Sequence, residues 1–257
     1  MSNAITQSMS VLAVESRFEL LRTLRMPGFL LPTLLFPAAF YLLFAVVMPM
    51  GKGSFDMASY LLAGYGVFGV IGPALFGFGV AVANERNAGW LLLKMASPMP
   101  ITIHFAARVF MSLTFAAVVA LMLFTLGAVF ADIRMQPMQW VSLFFILVLG
   151  VIPFCAMGLM VGYWARSQAA VAIVNLIYLP MSVLSGLWWP MQLFPAGLQV
   201  FGKCLPPYHL VQLALTPIGM NTSGAVLEHI LVLLAYTAVF LLLAARGYRR
   251  DAAARGA

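Results

Sequence analysis

Apolar residues along this 257-residue chain neither alternate with polar ones nor keep to one narrow helical stripe. They gather into six long blocks, at about 29–49, 57–83, 105–131, 139–165, 168–189 and 226–245. Each block is close to the roughly 20 residues that an α-helix needs to cross a hydrocarbon core about 30 Å thick. Backbone groups in lipid must find partners within their own segment, and strand-like alternation is absent from all six, so the pattern predicts helices and not open sheet. The expected fold is an all-α polytopic membrane protein filling 1–257 as one transmembrane domain.

The stretches between blocks are unequal. About 50–56, 132–138 and 166–167 do no more than turn the chain. The stretch 84–104 begins with Glu85 and Arg86, continues through Gly89, Trp90, Leu91, Leu93 and Lys94 near helical spacing, and stops at Pro98 and Pro100. That order describes a short amphipathic helix at the membrane surface between spans two and three. Residues 8–26 set Leu12, Phe18, Leu21 and Leu24 among charges and predict another interfacial helix before the first span. The stretch 187–225 is apolar yet interrupted by Pro190, Pro195, Gly197, Gly202, Pro206, Pro207, Pro217 and Gly219. It is too broken to span and too apolar for a free loop, so it reads as a re-entrant hairpin packed on protein before span six.

Composition agrees: 63% of residues are hydrophobic and 8% charged, against roughly 45–50% and about 25% in soluble domains. Charge adds orientation. Arg17, Arg22, Arg25, Arg86, Lys94, Arg108, Arg166, Arg246, Arg249, Arg250 and Arg255 fall on one side of a six-span path, and Lys52, Arg134 and Lys203 on the other. Cytoplasmic flanks are enriched in Lys and Arg, so both termini are expected in the cytoplasm, with the first span retained and not cleaved as a signal. The net charge of +7 then reflects topology and anionic lipid, with no nucleic-acid partner.

Candidate chemistry is sparse. Neither Gly51-Lys52-Gly53 nor Gly202-Lys203-Cys204 has the spacing of a phosphate-binding loop, so no nucleotide or other cofactor is expected in this chain. His104, His209 and His229 have no partner at ligand spacing, and only seven carboxylates exist, so they read as interfacial side chains and no metal site is expected. Cys155 and Cys204 fall at different depths and read as packing residues. The glycines of span two, from Gly64 to Gly79, and Gly158 and Gly162 of span four suit close helix packing, within one chain or toward a second copy. Pro32, Pro37, Pro73, Pro153 and Pro180 would kink their helices. Trp140, Trp164, Trp188 and Trp189 lie near span ends as an interfacial belt would, with an aromatic gate at Trp188 and Trp189 as the alternative. An intramembrane serine protease would need Ser185 and His229, and an ion-coupled secondary transporter would need acids in mid-span, which none of the seven is.

Two runs carry a resemblance: Glu85-Arg86-x2-Gly89 leading to Ser97-Pro98, and Pro180-x4-Ser185-Gly186-x3-Pro190-x4-Pro195 leading to Pro206-x-Tyr208. On this topology the chain resembles the type-2 ATP-binding-cassette permease family, departing at Asn87, where members usually carry a further acid. The resemblance implies an exporter subunit of the bacterial inner membrane that is not itself an enzyme. It implies a separate ATPase subunit that binds ATP and Mg, a second permease chain in a homodimer, and a drug, lipid or lipid-linked glycan as cargo. Glu85, Arg86, Gly89, Lys94 and Pro98 would couple to the ATPase. Pro180, Ser185, Gly186, Trp188, Trp189, Pro190, Pro195, Pro206 and Tyr208 would form the outer gate.

Overall fold

The structure, a computed structural model, describes residues 2–48, 56–91, 93, 101–221 and 224–255. Every regular element among these is helical: α1 (Ser2–Leu24), α2 (Pro27–Leu42), α3 (Met57–Ala74), α4 (Ala81–Asn87), α5 (Ile101–Phe130), α6 (Pro137–Leu149), α7 (Ile152–Trp164), α8 (Ser167–Leu184), α9 (Ala196–Lys203), α10 (Pro206–Leu215) and α11 (Val226–Arg255). Wide π-type turns continue α2 over Leu43–Val47 and join α3 to α4 over Leu75–Val80. Of the expected coupling residues, Lys94 and Pro98 lie outside the described residues.

Among the described residues, six apolar helices are long enough to cross a membrane: Pro27–Val47, Met57–Asn87, Thr102–Phe130, Pro137–Trp164, Ser167–Leu184 and Val226–Ala253. They match the six apolar blocks, with two differences. Span five stops at Leu184, because Gly186 takes a left-handed backbone (φ 77°) and turns the chain. Span six runs past 245 into its arginine-rich tail. Span four is α6 and α7 joined at Gly150–Val151, with Pro153 in the first turn of α7, where its missing N–H costs nothing.

Span two is the axis of the bundle. Its apolar window is 78% buried, against 11% for spans one and six. Glycines allow this. Added Cβ atoms at Gly66, Gly69 and Gly162 would press on Leu147, on Val119 and Pro37, and on Val82, so these faces serve packing within the chain. Pro73 has no N–H to return to the preceding turn, and the helix widens immediately after it. The widened segment packs against α7 and α8.

Candidate functional site

Spans two and three carry, at the end of the bundle that holds α1 and the tail of α11, a knot of charge inside the protein. Glu85 on α4 is 4% exposed. Arg108 on α5 donates to Glu85 Oε1 at 2.5 Å, to Glu19 Oε1 at 3.4 Å and to the Gly77 carbonyl of the widened segment at 3.2 Å. Arg22 on α1 donates to the same Glu85 oxygen at 2.6 Å. His104 sets Nε2 3.3 Å from Glu85 Oε2 and Nδ1 2.9 Å from Glu15 Oε1. Buried charges are tolerated only when paired and hydrogen-bonded, and these pairs cross between α1, α4 and α5. Helix α1 is therefore fastened to spans two and three by ion pairs as well as by apolar contact.

Arg86 turns the other way. It donates to the Tyr163 carbonyl and, at 2.6 Å, to the Ala165 carbonyl, while its Nε lies 4.0 Å from Asp251 Oδ1. Adjacent residues thus bind opposite sides of the bundle, α1 and α5 through Glu85, α7 and α11 through Arg86. Gly89 takes a left-handed backbone (φ 77°) just beyond, and a polar recess of about 580 Å³ opens between Arg86, Asn87, Gly89, Arg166, Gln168 and Asp251.

Between α2, α3 and α8 lies a cavity of about 300 Å³ walled by Phe29, Phe36, Phe68, Phe76 and Tyr178, with Asn175 as its polar side chain of largest hydrogen-bonding capacity. It shares Gly28, Phe29 and Phe76 with a second cavity of about 530 Å³ that reaches Glu19, Arg22 and Arg108. The two join the charge knot to the middle of the bundle.

At the opposite end the chain folds back against α2 and α3. The Leu187 carbonyl sits directly over Gly64, where no Cβ would fit, and Tyr60 Oη donates to the Gly186 carbonyl at 2.5 Å. Trp188 then stacks on Phe40 (5.3 Å between ring centres), meets Phe68 edge-on (5.5 Å) and lies 6.0 Å from Trp189, which meets Phe44 at 6.3 Å. Ser185 Oγ and Trp188 Nε1 are buried and have no hydrogen-bond partner among the described residues. Pro190 precedes a short 3₁₀ turn (Met191–Leu193), Pro195 caps α9, and Pro206 opens α10. Pro180 lies inside α8, and Tyr208 is buried at the start of α10.

The three histidines are buried, not interfacial. Their partners come from distant sequence: Glu15 for His104, and for His209 the ring of His229, Nδ1 to Nδ1 at 2.9 Å. His229 thus meets His209, and Ser185 has no hydrogen-bonded histidine, so the pair a serine protease needs is not assembled. Glu15, Glu19 and His104 bring three potential ligand atoms within 4.8 Å of one another. With Arg108 on Glu19 and both arginines on Glu85, that group fits an ion-pair network better than a metal centre. Sequence reasoning counted Arg22 and Arg108 only as orientation charges and passed over Glu19. The signal available was the i, i+4 spacing of Glu15 with Glu19 and of His104 with Arg108, which puts each pair on one helix face.

Comparison with known proteins agrees with this architecture. Residues 45–246 match the model of a family described as ABC-2 family transporter protein. A putative transport permease, YvfS, of Bacillus subtilis (strain 168) is 29% identical over 236 residues, covering 91% of this chain and 96% of that protein.

Proposed function

The chain belongs to the ABC-2 family of transporter proteins, as a transmembrane permease subunit, and from that premise we propose that it exports a hydrophobic or amphipathic cargo. In this reading two copies form the pathway in the bacterial inner membrane, and a separate ATPase subunit supplies the energy by binding Mg and hydrolysing ATP. The observation that carries the reading is the pair of joined cavities. They run from the charged knot at Glu19, Arg22 and Arg108 to an aromatic chamber at Phe68 and Tyr178, and the Phe68 ring of that chamber meets Trp188 edge-on. Aromatic walls suit flat or branched apolar cargo, and Asn175 offers one orienting amide.

Coupling follows from Glu85 and Arg86. An ATPase that moves the turn at Gly89 moves α4, and through Glu85 and Arg86 it moves α1, α5, α7 and α11 together. The outer segment from Ser185 to Tyr208 is the gate, since a broken backbone at membrane depth persists only beside protein or a water-filled path.

The test is transport of a fluorescent amphiphile into inside-out vesicles containing the permease with its ATPase. The reading expects ATP-dependent uptake, and a rise of about tenfold in half-saturating concentration for Asn175→Leu or Phe76→Ala, equivalent to about 1.4 kcal/mol of lost cargo binding. Uptake by these variants indistinguishable from wild type would remove the cavity from the pathway.

A further inference from the structure

We infer that His209 and His229 form a binding site for a divalent first-row transition cation, clamping α10 to the first turn of span six. The inference concerns the hairpin end of the molecule and does not depend on what the permease carries.

The geometry is that of two ligands already brought together. The Nδ1 atoms lie 2.9 Å apart, and the ring centres 5.2 Å apart at 54°. Imidazole nitrogens bind such ions at about 2.0–2.1 Å, so two nitrogens at this separation subtend about 90° at a shared ion. That is the cis angle of square-planar or octahedral coordination, as Cu²⁺ and Ni²⁺ prefer, and about 0.4 Å of opening gives the tetrahedral angle of Zn²⁺.

The outer side of each ring supplies the second requirement. A histidine that ligates through one nitrogen normally anchors the other on a carbonyl or carboxylate, which fixes the tautomer and turns the lone pair toward the ion. The His209 ring is hydrogen-bonded to the backbone of Lys203. On the other ring, His229 Nε2 and the Glu228 carboxylate oxygen Oε2 face one small space, 3.2 and 2.8 Å from the point a Gly224 Cβ would occupy. In the ion-free protein the two Nδ1 atoms share one hydrogen-bonding proton, and a cation takes the place of that proton between them.

Surroundings favour a held ion over a passing one. His209 and His229 are 8% and 2% exposed, and the Tyr208 ring stands 5.4 and 6.2 Å from theirs. Glu228, which is exposed, marks the solvent side from which an ion would arrive. Two links then join the hairpin to span six, this one and the hydrogen bond from Tyr236 Oη to the Cys204 carbonyl.

The experiment uses the full chain purified in detergent and stripped with a chelator. NiCl₂, ZnCl₂ and CuCl₂ are titrated by calorimetry, and thermal unfolding is followed in parallel. One equivalent per chain is expected, with a higher unfolding temperature, proton release and weaker binding in acid. His209→Gln and His229→Gln should each abolish saturable binding, and Glu228→Gln, an exposed change that leaves the fold intact, should weaken it about 10–100-fold. Equal binding by wild type and the double histidine variant would overturn the site. So would an absence of binding in a chain whose unfolding temperature still depends on these histidines and on pH, because the pair would then hold only a proton.

Discussion

Arg108 is 1% exposed and stands between the carboxylates of Glu19 and Glu85. Removing it takes away the buried cation that the two carboxylates share, and breaking a buried pair in this way typically costs about 3–5 kcal/mol. Arg108→Met should therefore lower the unfolding temperature of the purified chain sharply, while Arg134→Ala, whose pair with Asp132 lies in the open, should change stability by no more than about 1 kcal/mol. Equal effects would show that the knot carries no special weight. His209 gives a second handle. Burial, then the neighbouring His229, holds its pKa below the usual value of 6.5. The unfolded chain thus takes up the proton first as pH falls, so this contribution is complete above about pH 6.5 and shrinks below it. Unfolding temperatures of metal-free wild type and His209→Gln across pH 5–8 should diverge least at the acid end.

Among the helices, the fit of the hairpin onto α3 depends on one missing side chain. A Cβ at Gly64 would overlap the Leu187 carbonyl, and backbone cannot swing aside as a side chain can. Gly64→Ala should cost about 1–3 kcal/mol, the range for overpacking. It should also loosen the stack of Trp188 on Phe40, read as a red shift in tryptophan emission, and unchanged emission would mean that the hairpin rests elsewhere. The six spans were legible because each apolar block needs only its own length to declare itself. The left-handed turn at Gly186 that ends span five was not, since the apolar run through Leu187 and Trp189 continues past it. The role of Glu85 was half legible. Its place after span two marks the arginine-rich end, but its partners Arg22 and Arg108 lie 63 and 23 residues away, and no local spacing announces a contact of that range. Phe40, Phe68 and Tyr178 were hidden for the opposite reason, as apolar rings inside apolar blocks.

Across the whole molecule, charge and connectivity point to the same orientation. Glu85 and Arg86 draw α1 and the tail of α11 to one end of the bundle, where most of the cations also gather. On the positive-inside tendency we propose that this end is cytoplasmic and that the hairpin end faces outward. The chain carries its own reporter of this arrangement. Cys204 is exposed beside Lys203 at the end of α9, whereas Cys155 is buried within span four and should stay silent. In intact cells an impermeant thiol reagent should label the wild-type chain at Cys204 and fail to label Cys204→Ser. Placing a new cysteine in the Cys204→Ser background by Arg17→Cys or Arg249→Cys, both exposed positions, should restore labelling only after the membrane is opened. Labelling at either new site in sealed cells, with Cys204 protected, would invert the bundle. The arginine-rich recess at Arg86 and Arg166 would then face away from the compartment that holds ATP, and the coupling proposed through Glu85 would fall with it.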